Sequence, residues 1–137
     1  MICVDSNIWI YYFNELAPEH EKTISHVRNW IRTENILSSS VIILEIAHYF
    51  RFLPKNEFER IFDRMLRLPN LKLIDLSRPV LLRSLTLLAE HAHTGIGARD
   101  AVILATMELE KANKIATHDQ VFRKIKHLKV IDPIDAA

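Results

Sequence analysis

Met1-Ile2-Cys3-Val4-Asp5-Ser6-Asn7-Ile8-Trp9-Ile10-Tyr11-Tyr12-Phe13 opens the chain with an apolar quartet, three polar residues and a second apolar run. The pattern predicts a buried strand, a turn and a short helix. Working outward, Ile24, Val27, Trp30 and Ile31 recur at helical spacing within Glu19 to Thr33, so an amphipathic helix follows Pro18. Ile36-Leu37 reads as a short strand, with Ser38, Ser39 and Ser40 as N-cap candidates for a helix from about Val41 to Phe50. Pro54 starts another helix with Phe58, Ile61, Phe62, Met65 and Leu66 inward and Arg60, Arg64 and Arg67 outward. Leu71 to Leu76 reads as a strand and Pro79 to about His93 as a Leu-rich helix. Gly95 and Gly97 break the chain before a helix from about Ala98 to Ala112. Lys114 to Thr117 is a short strand, Gln120 to Lys126 a short helix, and Leu128 to Ile131 a last strand stopped by Asp132-Pro133. Strands alternating with helical segments about five times indicate an α/β domain whose mostly parallel sheet is covered on both faces.

With 137 residues, 49% hydrophobic and 26% charged, the chain is expected to form a single domain over 1–137. Its apolar runs fall well short of the ~18 residues of a membrane span. The N-terminus has no basic segment, long apolar stretch and small-residue cleavage site in succession, so a cytoplasmic location is expected. Cys3 is the sole cysteine, which excludes an internal disulfide and Cys-rich zinc sites, and it falls within the first strand as core. Gly95 and Gly97 are the only glycines, which excludes a Walker A loop and a dinucleotide fingerprint, and with them a nucleotide cofactor held by either.

Charge is unevenly spread. Residues 1–50 hold three basic and six acidic side chains, residues 51–83 eight and four, and Lys114 to Lys129 five and one. Such a division suits an acidic, cation-filled site bordered by phosphate-binding residues as well as it suits scattered surface lysines. Arg60, Arg64 and Arg67 read most simply as a solvated helix face, and Trp9, Tyr11, Tyr12, Phe13 and Trp30 as packing residues rather than base-stacking platforms.

Four acids interrupt apolar surroundings: Asp5, Glu45, Asp100 and Asp119. Asp5 and Asp119 follow strands at the carboxyl edge, where open α/β sheets place their ligand sites. Glu45 lies within Val41-Ile42-Ile43-Leu44-Glu45-Ile46-Ala47, and Asp100 in the first turn of the Ala98 helix. Singly, each has an ordinary role as a turn, cap or rim residue. Gathered at one edge they would repel, by about 4 kcal/mol per pair at about 4 Å and an effective dielectric of about 20, unless cations or protons compensate. An oxygen-only ligand set favours Mg²⁺ or Mn²⁺ over zinc. Convergence requires the strands before Asp5 and Asp119 to be neighbours where the strand order reverses.

Four segments in order, Ile2 to Ile10 with Asp5-Ser6-Asn7, Leu37 to Ile46 with Glu45, Ala98 to Thr106 with Asp100, and Lys114 to Phe122 with Thr117-His118-Asp119-Gln120-Val121-Phe122, resemble the PIN domain, in particular the VapC-type toxins of bacterial and archaeal toxin–antitoxin pairs. The resemblance spans nearly the whole chain. It implies a three-layer α/β/α sandwich around a five-stranded parallel sheet, and a metal-dependent endoribonuclease site with Asp5, Glu45, Asp100 and Asp119 as catalytic and metal-binding acids. Asn7 matches the polar position two after the first acid, and Thr117 the hydroxyl that orients the last acidic loop. His118 falls at a variable position. The implied reaction uses metal-activated water rather than the ribose 2′-OH, with Glu45 or Asp119 orienting or deprotonating it, and leaves a 5′-phosphate and a 3′-hydroxyl. The resemblance also implies an RNA substrate, a cognate small antitoxin and a homodimer.

Other chemistries fit less well. His20-Glu21 lacks the second histidine of a zinc motif, since position 24 is Ile24. His91 and His93 cannot share a helix face. The Ser38 to Ser40 run lacks the glycines of a nucleophile elbow. Asn7 stands where haloacid-dehalogenase-like phosphatases carry a second aspartate. The remaining alternative is a non-catalytic interaction module whose acidic pocket receives a basic partner.

Overall fold

The computed structural model describes residues 1–135; residues 136 and 137, the end of the expected 1–137 domain, lie outside the described residues. Five strands form one sheet: β1 (Ile2–Val4), β2 (Ile36–Ser39), β3 (Leu71–Ile74), β4 (Lys114–Ala116) and β5 (Lys129–Ile131). Their order is β3-β2-β1-β4-β5, and every pairing is parallel. Six α-helices connect them: α1 (Ser6–Phe13), α2 (His20–Thr33), α3 (Ser40–Phe50), α4 (Lys55–Leu66), α5 (Arg78–Glu90) and α6 (Ala98–Leu109). A 3₁₀ turn covers Gln120–Lys124, shorter than the helix to Lys126 that the sequence suggests.

The sheet grows from β1 through β2 to β3, then crosses back to β4 on the far side of β1. Right-handed crossovers running in opposite directions lie on opposite faces, so this reversal sends α5 and α6 over the other side of the sheet and makes three layers. Cys3 pairs with both Leu37 and Ile115, and Val4 with Ala116. The residues just beyond these pairs, Asp5 and Thr117, therefore emerge side by side at the switch point. β1 is buried along its whole length, with Ile2, Cys3 and Val4 at most 2% exposed. Cys3 is core as expected, and burial, then the charge of Asp5, pushes its thiol up and leaves it unreactive.

Element ends differ from the sequence pattern for local reasons. β2 extends through Ser38 and Ser39, both buried, and Ser39 then caps α3 by accepting from Val41 N at 3.2 Å. β3 stops at Ile74 rather than Leu76, because Ile74 pairs with the last residue of β2 and the chain turns at once, with Ser77 N donating to Asp75 O. α5 ends at Glu90 rather than His93, where the His91 carbonyl is taken by the amide and hydroxyl of Thr94. α6 stops at Leu109, short of Ala112, because Lys111 adopts φ 57° and Ala112 N returns to Met107 O. Gly95 adopts φ 93°, a conformation that costs glycine little. Leu66, expected inward on α4, is half exposed, while Met65 is fully buried.

α6 is the central helix: Ala101 through Met107 are all buried. Arg83 clamps α5 to it, donating Nε and Nη2 to Glu108 at 2.6 and 3.1 Å. At the sheet's opposite, amino end, Lys114 of β4 bridges to Glu34 at 2.7 Å, and this hydrogen bond, ahead of the opposing effect of burial, holds the Glu34 carboxyl below its ordinary range. A depressed carboxylate stabilises the fold at and above the ordinary Glu range and loses that contribution as pH falls through its folded value. Thermal melts across an acid series should therefore show wild type losing its advantage over Glu34→Gln as pH drops below about 4; a constant gap would refute it.

Candidate active site

Asp5 is fully buried at the β1 terminus and caps α1, its Oδ1 accepting from Ser6 N at 2.7 Å. Its Oδ2 accepts from the Thr117 hydroxyl at 2.7 Å. Thr117 Oγ1 in turn accepts from Asn7 Nδ2 at 3.3 Å and from Asp119 N at 3.0 Å, and Asn7 Oδ1 accepts from His118 N at 3.2 Å. One hydroxyl and one amide thus pin the loop after β4 to the start of α1. Asp119 caps the 3₁₀ turn, Oδ1 accepting from Val121 N at 3.0 Å. Asp100 rides on the first turn of α6, Oδ2 accepting from Gly97 N at 2.9 Å. Glu45 projects from α3 with its side chain one-third exposed. α3 is less uniformly core than its composition suggests: Ile42, Ile46 and Phe50 are buried, whereas Leu44 is 68% exposed.

Three of these acids meet at one cation that the motif reading gave no role, Arg99. Its Nη2 bonds Asp5 Oδ1, its Nε bonds Glu45 Oε1, and its Nη1 bonds Asp100 Oδ1 at 2.7 Å. Burial works against the guanidinium charge, and Asp5, Glu45 and Asp100 more than reverse it, raising the Arg99 pKa further. Asp119 stands apart from this fork. It is nonetheless felt at Asp100, whose carboxyl is pushed up first by burial and then by the charges of Asp119 and Asp5, against the pull of Gly97 N–H and Arg99. The guanidinium holds the acids around itself. Among the described residues, the metal-capable group whose ligand atoms all lie within 4.8 Å of one another is a different one, His118, Asp132 and Asp135. There Asp132 accepts from Ile134 N at 2.9 Å and bonds His118 Nδ1 at 2.9 Å, and after the penalty of burial these bonds hold its carboxyl low. The sequence reading took Asp132 only as a strand terminator.

Beside Glu45 runs a groove of about 480 Å³, bordered by Ile10, Val41, Leu44, His48 and Tyr49. A second cleft of about 730 Å³ lies between α3 and α4, lined by Ile43, Phe58, Phe62 and the exposed Arg60 and Arg67.

A model of the PIN domain matches residues 2–128. The chain belongs to the PIN domain family. Curated proteins contain no match to this PIN sequence. Among solved structures, VapBC2 from Rickettsia felis, bound to a promoter DNA fragment, is similar to this PIN fold at TM-score 0.74 and 22% identity, covering 96% of this chain and 98% of its own. VapC20 from Mycobacterium tuberculosis, a toxin described as cleaving the sarcin–ricin loop, matches at TM-score 0.74 and 16% identity over 91% and 95%. A toxin–antitoxin complex from Klebsiella pneumoniae matches at TM-score 0.71 and 20% identity over 97% and 98%. The likeness extends over nearly the whole of each chain, so the parallel five-stranded PIN architecture read from the sequence is the one observed. Among the described residues no helix is long and apolar enough to cross a membrane.

Proposed function

We propose that the chain is a metal-dependent endoribonuclease, the toxin of a VapBC-type pair, with Asp5, Glu45, Asp100 and Asp119 as its metal-binding and catalytic acids and Asn7 and Thr117 as their supports. The observation that carries this reading is three carboxylates from three different elements converging on one cation at the sheet's switch point. The donor set fits Mg²⁺ or Mn²⁺. Its atoms are all carboxylate oxygens: Asp100 ties Oδ2 to Gly97 N and turns Oδ1 toward the shared centre, and Asp5 ties Oδ2 to Thr117 and turns Oδ1, which also caps α1 through Ser6 N, toward the same centre. A divalent ion held there supplies Lewis acidity to an RNA phosphate and lowers the pKa of a water.

The residues of the chain do the positioning. Thr117 donates to Asp5 Oδ2 and so, with Ser6 N on Oδ1, fixes the orientation of the carboxylate, while Asn7 and the Asp119 amide hold Thr117. Glu45 is the more exposed acid of the Arg99 cluster and has the freedom to orient or deprotonate an incoming water. Water attack leaves a 5′-phosphate and a 3′-hydroxyl. An antitoxin partner is supported by the toxin–antitoxin complex among the fold relatives, the family resemblance implies a homodimer, and a cytoplasmic setting is part of the same proposal.

Purified protein incubated with total RNA in Mg²⁺ or Mn²⁺ should give discrete cuts bearing 5′-phosphates, falling to background in excess EDTA. Undiminished cutting in EDTA would refute the metal mechanism. One observation favours a second reading, a non-catalytic module that receives a basic partner: the pocket already accommodates a guanidinium. Absence of metal-dependent cuts by folded protein on the relevant RNA would shift weight to that reading.

A further inference from the structure

We propose that Arg99 is a built-in counter-cation of the acid pocket, displaced when a divalent ion binds, so that the chain's own arginine sets the metal affinity of its site. The inference rests on the metal-site reading above and adds a residue to it. The oxygens that Arg99 occupies are the ones a metal requires. Asp5 Oδ2 is committed to Thr117 and Asp100 Oδ2 to Gly97 N; Asp5 Oδ1, which also accepts from Ser6 N, and Asp100 Oδ1 are the oxygens turned to the pocket, and both are bonded to Arg99. Glu45 Oε1 is bonded to the same fork. Guanidinium and metal therefore draw on one set of acceptors, and each must be desolvated against the other.

The position of Arg99 suits exchange. It is the second residue of α6, just after Gly97, and its side chain retains 27% exposure, so the guanidinium has a route to solvent. The surrounding charges explain why such a cation is needed. Asp5 is fully buried and Asp100 nearly so, and without compensation their repulsion and that of Asp119 would fall on the fold itself. Arg99 keeps the metal-free pocket assembled and for that reason opposes the metal.

Calorimetric titration of Mn²⁺ into wild type, Arg99→Met and Arg99→Lys, beside melts with and without Mn²⁺, tests this. Arg99→Met is expected to bind Mn²⁺ roughly tenfold more tightly, to melt several degrees lower without metal and to gain a larger metal-induced shift. Arg99→Lys keeps the charge without the fork and should fall between; if Arg99→Met does not fold without metal, the lysine variant carries the comparison. Equal or weaker binding in the variants, with wild type binding Mn²⁺, overturns the inference and leaves the metal site standing. No binding by any of the three proteins overturns the metal-site reading, and the inference with it.

Discussion

Asp5→Asn is expected to lower metal-dependent RNA cleavage by about 10³-fold or more while the protein remains folded. The change is nearly isosteric, yet it removes a charge from a fully buried position where one oxygen faces Arg99 and the other Thr117. Asparagine can keep the cap on Ser6 N with its remaining oxygen. Its NH₂ then points at Thr117 Oγ1, which already accepts from Asn7 and from the Asp119 amide, and the threonine proton loses its acceptor. One unsatisfied buried donor and a less fully paired Arg99 together cost about 1–3 kcal/mol, a loss that most folded domains survive. Initial cleavage rates beside a urea melt separate the two effects. Cleavage within tenfold of wild type by a folded variant would remove Asp5 from the catalytic set.

Asp5 and Asp119 were legible as acids at the carboxyl ends of strands, but their approach depended on β1 and β4 being neighbours, a pairing that the structure shows and that sets Thr117 beside Asp5. An apolar run ending in an acid places that acid at the carboxyl edge, and the neighbouring strand brings its own terminus alongside. Asp100 and Glu45 were legible as acids in apolar helices. Arg99 was not. Adjacent residues on a helix do not face each other, so an Arg-Asp pair reads as two unrelated surface charges. The structure shows the guanidinium curling back over the helix start to reach Asp100 and, 54 positions away in sequence, Glu45. The surplus of acids in the first 50 residues hinted at a missing cation without saying which one. The His118–Asp132 contact was hidden similarly, since a proline after Asp132 explained that residue well enough. Strand and helix ends were missed by two or three residues wherever a partner strand ran out, as at Ile74, or a left-handed residue such as Lys111 turned the chain early.

Phe122→Ala is expected to destabilise the fold by about 3–5 kcal/mol, a large share of the stability typical of a domain this size. Phe122 is fully buried within the 3₁₀ turn and joins the turn to the core cluster. Ile125 N donates to Phe122 O at 3.2 Å, and Asp119 caps the turn at its other end. The ring is therefore the anchor for the segment that carries Asp119, so the same cavity that lowers stability should also loosen the acid. Urea unfolding should show the midpoint falling sharply with little change in slope, while Val121→Ala, at a half-buried neighbour, should cost much less. Mn²⁺ binding measured well below the unfolding transition should weaken in Phe122→Ala even where the variant is folded. A loss under about 1 kcal/mol would mean that the turn is held by its backbone bonds alone, and that the threonine–aspartate–phenylalanine pattern owes nothing to packing.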